Sequence, residues 1–338
     1  MSFRVRAAGA EDFPAIYEMA KLTGGGFTNL PPERATLVAK LAKSEQSFAR
    51  AEDSQSGDLY MFVLEDPKTK KIRGTCQVFG QVGLEHPFYS YHLSTLTQSS
   101  PELGKTFRNQ LLTLTTDLEG SSEVGGLFLH PQQRAGGWGS LLARSRYLFI
   151  KLHRARFGDR TLAELRGVMD QGGNSPFWDS LAGKFFEMTF PEADEFNAVH
   201  GTKFIADLMP RFPIYVSLLT EGARNVLGLP HPSGRAALRM LEEEGFTYDR
   251  YVDIFDGGPT VTSATDRIRT IRESTLERIA EIAEGGRSRM LVAAGRLKNF
   301  RACCASVKRV ARKGIAIDRE SAELLEIEPG DEVLTVAR

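Results

Sequence analysis

Leu127-Phe128-Leu129-His130-Pro131-Gln132-Gln133-Arg134-Ala135-Gly136-Gly137-Trp138-Gly139-Ser140-Leu141-Leu142 opens on an apolar run, turns at Pro131 and enters a Gly-rich loop. A helical pattern follows, through Leu141, Leu142, Arg144, Ser145, Tyr147, Leu148 and Ile150. A strand that feeds a Gly-rich turn at a helix N-terminus is a site for an anionic group. The first N–H groups of the helix have no internal partner, and the helix dipole is positive there. Glycines let the backbone approach a ligand with no Cβ in the way.

Upstream of this stretch, residues 3–7 read as a strand and 11–22 as an amphipathic helix with Phe13, Ile16, Met19 and Ala20 on one face. Thr23-Gly24-Gly25-Gly26 is a helix stop, and 32–44 reads as a second helix. Residues 59–65 and 72–82 predict antiparallel strands joined by the turn Asp66-Pro67-Lys68-Thr69-Lys70. An insert at about 83–117 reads as less regular and rich in aromatic and hydroxyl residues. Downstream, 161–168 reads as a strand, 175–188 as a helix, 235–244 as a helix and 248–256 as a strand. Residues 264–282 look helical and charged. Glu284-Gly285-Gly286-Arg287-Ser288 is the linker candidate, with short strands beyond it. The order predicts an α/β domain over 1–284 and a small C-terminal β-barrel over 285–338.

The chain has 338 residues, 41% hydrophobic and 25% charged, with zero formal net charge. That balance gives no global electrostatic case for nucleic acid or an anionic membrane, and no apolar run is long enough to span one. The basic run Lys308-Arg309-Val310-Ala311-Arg312-Lys313 has no interleaved aromatics and reads as a solvated loop. The first residues do not resemble a signal peptide. The three cysteines, Cys76, Cys303 and Cys304, fit a reducing compartment, so a cytoplasmic protein is expected. None of them has metal-ligand spacing, and no metal is expected.

Arg134-x-x-Gly137-x-Gly139, following a strand and opening a helix, is similar to the acyl-CoA motif of the GNAT acyltransferases. The resemblance implies a GNAT-like acyl-CoA N-acyltransferase fold with a mixed, largely antiparallel sheet. It also implies that the loop residues Arg134, Gly136, Gly137, Gly139 and Ser140 cradle the pyrophosphate of coenzyme A. Over about residues 3–275 the chain resembles the arginine N-succinyltransferase family. The blocks that carry this include Val82-Gly83-Leu84 with Pro87-Phe88-Tyr89-Ser90-Tyr91, Gly120-Ser121-Ser122-Glu123, and Ala163-Glu164-Leu165-Arg166-Gly167-Val168. Ser175-Pro176-Phe177-Trp178, His231-Pro232 and Tyr251-Val252-Asp253-Ile254-Phe255-Asp256-Gly257-Gly258-Pro259 continue it in order. Three departures stand out: Gly125 where the family usually has Cys, Tyr91-His92-Leu93-Ser94-Thr95 in the tyrosine block, and Phe212 for a usual His. They leave the CoA motif intact and bear on the acceptor.

The resemblance implies transfer of succinyl from succinyl-CoA to the α-amino group of L-arginine, or of a related basic amino acid such as ornithine, by a homo- or hetero-oligomer. A thioester is already activated, so such an enzyme mainly supplies proximity and proton management. The resemblance assigns proton transfer to His231 and the acyl-pantetheine contact to Leu127, with Leu129 on the same strand. The other histidines, His86, His92, His130, His153 and His200, read as surface or capping residues. Arg166 is a candidate carboxylate clamp and Glu164 a candidate partner for the guanidinium. At a spacing of two along a strand they share a face, so they could instead pair with each other. Tyr89 and Tyr91 could contact the acceptor or simply be core. A non-catalytic acyl-CoA-binding subunit is the rival from another class.

Overall fold

The structure is a computed structural model that describes residues 3–23, 29–134, 136–200 and 203–338. Gly24-Gly25-Gly26, Ala135 of the loop and the side chain of His200 lie outside the described residues. The chain begins with β1 (Arg4–Ala7), α1 (Phe13–Lys21) and α2 (Arg34–Ala49). β2 (Leu59–Glu65) and β3 (Ile72–Phe79) form the expected hairpin. Its turn is held by Asp66 Oδ1, which accepts from the Lys68 amide at 3.0 Å. β4 (Ser90–Ser100) and β5 (Lys105–Thr115) precede β6 (Ser122–Leu129), α3 (Trp138–Leu152) and β7 (Arg160–Glu164). Short helices follow: α4 (Pro176–Ser180), α5 (Gly183–Phe186), α6 (Phe190–His200) and α7 (Lys203–Leu208). Then come β8 (Ile214–Tyr215), α8 (Glu221–Val226), α9 (Arg235–Glu243), β9 (Thr247–Val252), β10 (Pro259–Ala264) and α10 (Arg269–Glu273). The chain ends with β11 (Thr275–Ile282), β12 (Ser288–Ala294), β13 (Arg301–Val310), β14 (Gly314–Ile317), α11 (Arg319–Leu325) and β15 (Glu332–Ala337).

The strands run in the order β12-β15-β11-β14-β13-β1-β2-β3-β6-β7-β10-β9-β4-β5-β8. All neighbours are antiparallel except β6–β7 and β11–β14. This is the mixed, largely antiparallel sheet expected of a GNAT-like fold. An added β12–β13 pairing closes the first five strands of that order into a barrel, and β13 also pairs with β1. The barrel is therefore grafted onto the edge of the main sheet by continuous hydrogen bonding.

Every residue of β2 is buried, because the strand is covered on both faces. Alternation sends Leu59, Met61 and Val63 into a cluster with Ile16, Leu37 and Leu41 of α1 and α2. It sends Tyr60, Phe62 and Leu64 to the α3 side, where Phe149 meets the rings of Tyr60 and Phe62 at 4.9 and 5.0 Å. Each such side chain contributes about 1.5–3 kcal/mol on full burial. The sheet position of β6 and the α3 axis are fixed by this core, and with them the loop between.

Three expectations are corrected. The insert is a regular hairpin, with eleven-residue strands paired from Ser90↔Thr115 to Ser100↔Lys105. Its outer half is exposed on both faces, so no buried face imposes an alternating sequence on it. The helix expected over 264–282 is a short α10 followed by β11, which belongs to the barrel and carries that unit N-terminal of residue 285. Glu277, Arg278 and Glu281 are good helix formers, but pairing with β14 and β15 overrides local propensity. The 175–188 helix breaks after Ser180. Its start matches the sequence signal, with Ser175 Oγ accepting from the Trp178 amide at 3.1 Å.

Candidate active site

β6 and β7 pair only at Ser122↔Thr161 and Glu123↔Leu162 and then diverge. β7 continues against β10 as far as Glu164↔Thr260. β6 keeps its other neighbour, β3, but with a register shift between Thr75 and Gln77. Gly126 and Leu127 are the residues that bulge, and Gly126 sits at φ +56, where a Cβ would meet the Gln77 side chain at 2.8 Å. The splay leaves the β7-facing backbone edge of Val124–Leu129 without a strand partner. Leu127 and Leu129 are half-buried, with side chains packed on the main core.

The cleft ends at the loop before α3. Gly136 and Gly137 are left-handed, at φ +88 and +79, and Gly137 caps α3 with no side-chain bond. Only at Leu141 does the helical ladder begin, with its amide donating to Gly137 O at 3.2 Å. The amides of Trp138, Gly139 and Ser140 are therefore left for a ligand. Trp138 is locked edge-on against Phe3 at 4.8 Å. Arg134 is exposed and makes no ion pair among the described residues.

On the other side of the cleft, register determines which side chains share a face. Glu123 lies opposite Leu162, two residues from Glu164, and Glu164 lies opposite Thr260, which lies opposite Tyr251. His92 continues the row, with its ring 4.8 Å from that of Tyr251. Tyr91 therefore points to the opposite face, into the second core, where its ring meets Phe177 at 6.1 Å. Its hydroxyl is buried with no hydrogen-bond partner, and burial pushes its pKa well up. Tyr89 packs at the edge of that same core.

Glu164 and Arg166 do not pair, because β7 ends at Glu164 and the strand spacing rule stops with it. Burial raises the Glu164 pKa well above the carboxylate range, and the charges of Asp253, Glu123 and Asp256 push it further. Asp256 is raised likewise by burial and by Asp253. Glu123 is raised by burial, opposed by the amide of Asn29 that donates to it at 2.8 Å and by the charge of the half-buried Lys40. The result is an acidic basin built from three separate segments. Asp256 also ties the segments together, accepting from the Gly167 amide at 2.7 Å and the Gly258 amide at 2.8 Å.

That tie fixes Arg166, whose backbone oxygen accepts from the His231 amide at 2.7 Å, while Gly167 bridges Pro230. The Arg166 Nε has no hydrogen-bond partner among the described residues, and desolvation lowers its pKa against the charges of Asp256 and Asp194. Arg166 and His231 thus meet through the backbone, and Asp256 acts on both Arg166 and Glu164. His231 Nδ1 is engaged by Ser233, 2.7 Å from its Oγ and accepting from its amide at 3.2 Å. Nε2 has no hydrogen bond among the described residues. Burial and the Arg166 charge lower the His231 pKa from 6.5. His153, by contrast, is a satisfied core residue. Its Nδ1 meets Phe149 O at 2.9 Å, its Nε2 accepts from the Leu297 amide, and its pKa falls to about 4.

Two family models cover nearly all of this frame. Residues 3–270 match the arginine N-succinyltransferase beta subunit, and residues 272–337 match the C-terminal domain of that subunit. The chain belongs to the arginine N-succinyltransferase family. It is 40% identical over 334 residues to an arginine N-succinyltransferase of Escherichia coli (strain 55989 / EAEC), covering 98% of this chain and 96% of that one. It is also 40% identical over 332 residues to the arginine N-succinyltransferase subunit beta of Pseudomonas aeruginosa, covering 98% and 97%. The solved structure of the arginine/ornithine succinyltransferase subunit AI from P. aeruginosa superposes with a TM-score of 0.90 at 33% identity, over 99% of this chain and 98% of that one. Within this arginine N-succinyltransferase fold, Glu123, Asp253 and Asp256 are the carboxylates that act on Glu164 and that sequence reasoning passed over. Asp253-x-x-Asp256-Gly257-Gly258 carried a turn signal, read only as the end of a strand.

Proposed function

We propose that this chain transfers the succinyl group of succinyl-CoA to the α-amino group of L-arginine. The observation that carries the reading is the acidic basin of Glu164, Asp253 and Asp256 beside a free edge of β6, with Glu123 at its margin next to the half-buried Lys40. Buried like-charged carboxylates raise one another's pKa and are relieved by a cationic guest, and a guanidinium supplies that charge with planar, bidentate geometry. Arg166, whose Nε has no hydrogen-bond partner among the described residues, suits a carboxylate of either substrate.

In this reading the CoA pyrophosphate lies on the loop of Arg134, Gly136, Gly137, Gly139 and Ser140. The acyl-pantetheine arm follows the backbone of Leu127 and Leu129. The guanidinium is held at Glu164, on the face that carries Tyr251 and His92, whereas Tyr91 and Tyr89, the tyrosines the sequence offered for this role, pack in the second core on the other face. The neutral α-amine attacks the thioester carbonyl directly, forming the C–N bond. The amine proton passes to Nε2 of His231, and the C–S bond breaks as that proton goes to the departing thiolate. A lowered His pKa keeps the imidazole neutral and ready to accept near pH 7. Three buried cysteines and the absence of a membrane-length apolar helix among the described residues are compatible with a cytoplasmic enzyme. Relatives named as subunits favour an oligomer.

Ornithine is the second acceptor to consider, because the solved relative is named for arginine and ornithine together and the insert departs from the family pattern. CoA-thiol release by the purified chain with succinyl-CoA and acetyl-CoA, each against arginine and ornithine, tests these assignments. Succinyl-CoA with arginine is the fastest expected pair. Faster turnover with acetyl-CoA overturns the donor, and faster turnover with ornithine overturns the acceptor. No turnover by the chain alone favours a non-catalytic subunit.

A further inference from the structure

The last strand of the barrel delivers an arginine to the pyrophosphate loop, some 200 residues distant in sequence. Arg338 Nη2 donates to Gly136 O at 2.7 Å. The same nitrogen sits 2.5 Å from where a Cβ on Gly137 would lie, so the guanidinium covers both left-handed glycines. The register of β12 with β15 ends at Met290↔Ala337, so Arg289 and Arg338 are the next residues beyond the paired ends of the two strands. Arg134 stands two residues before Gly136. None of these three arginines forms an ion pair among the described residues, although the chain as a whole is neutral. The dipole of α3 adds positive potential at the same point.

We infer that Arg338, supported by Arg289, binds a phosphate group of the CoA moiety, so that the barrel completes the donor site. This rests on the reading of the Gly-rich loop as the CoA pyrophosphate site. One Arg338 nitrogen holds the loop carbonyl and leaves the remaining N–H donors of the fork for phosphate oxygens. The barrel is then part of the substrate site, and the continuous β13–β1 pairing is what keeps its arginine in register with the loop.

The test compares R338A with wild type on three donors: succinyl-CoA, succinyl-(3′-dephospho)-CoA and succinyl-pantetheine. A charge-assisted bond at an exposed site predicts about a tenfold rise in KM for succinyl-CoA in R338A. The arginine KM and the rate with succinyl-pantetheine, which carries no phosphate, stay unchanged. Loss of the penalty with the dephospho donor assigns the contact to the 3′-phosphate, and its persistence assigns the pyrophosphate. R338Q keeps an N–H donor for Gly136 O without the charge, so a wild-type KM in R338Q means that Arg338 only braces the loop and overturns the inference, as does an unchanged KM for succinyl-CoA in R338A. If wild type uses succinyl-pantetheine as well as succinyl-CoA, the loop reading itself has failed.

Discussion

Between Leu127 and Ser140 the cleft offers backbone: a bulged strand edge, two left-handed glycines and the first amides of α3. Between Glu164 and His231 it offers side chains: carboxylates from β6, β7 and the loop after β9, the guanidinium of Arg166 and an imidazole. The first region is contiguous in sequence and nearly indifferent to side-chain identity. The second is assembled from four separated segments and depends on charge. Gly125, a departure from the family pattern, lies on β6 two residues before the first region, and its carbonyl oxygen accepts from Arg146 Nη1 at 3.4 Å. The departures in the insert lie near the second. A backbone site can therefore be inherited through much substitution, whereas an acceptor site can be retuned by one charged residue.

This contrast can be broken most sharply at His231. H231Q should lower kcat by about 10²–10⁴-fold with the succinyl-CoA dissociation constant unchanged. The kcat/KM profile should rise through a group titrating below 6.5, since burial and Arg166 disfavour imidazolium, and H231Q should remove that limb. An intact limb in the variant would exclude His231 as its source. E164Q should raise the arginine KM by about 10–100-fold and leave the succinyl-CoA KM alone, as a charge-assisted bond to a guanidinium predicts. A matching loss on the donor side would dissolve the division between the two regions.

G137A tests the backbone side. At φ +79, a Cβ costs about 1–2 kcal/mol and displaces the Arg338 guanidinium. The expected result is about a tenfold rise in the succinyl-CoA KM with the arginine KM unaffected. The smallest effect concerns stability. Glu164 has a folded pKa above its unfolded value, so its contribution is fully present below the ordinary carboxylate range and is lost as pH rises through the raised value. The melting temperature of E164Q relative to wild type should therefore climb by about 2 °C between pH 4 and pH 8. Saturating arginine should stabilise wild type more at pH 8 than at pH 5. A flat difference would mean that the basin is not a coupled acidic site.

The donor region was legible in the sequence because all its determinants are local. A strand, a turn at Pro131, two glycines and an amphipathic helix need no distant partner to be recognised. His231, Arg166 and Glu164 were individually visible in family-like blocks, but their linkage was not. It depends on Asp256 bonding Gly167 and on the His231 amide reaching Arg166 O, contacts between residues 65 to 89 positions apart. The pairing proposed for Glu164 with Arg166 failed for the same reason, since only the sheet decides where β7 stops. β11 was hidden because its charged residues face solvent on a barrel whose partners lie downstream of it.

The sequence by itself determined the elements whose periodicity is enforced by burial, β2 and α3 above all, and the Gly-rich loop whose backbone angles only glycine adopts readily. Tertiary structure alone decided the splay of β6 from β7, the acidic basin and the arrival of Arg338 at Gly136. The physical reason is range. Hydrophobic alternation and left-handed turns are written within a few residues, whereas a charge becomes a site only when folding brings others beside it and removes the water between them.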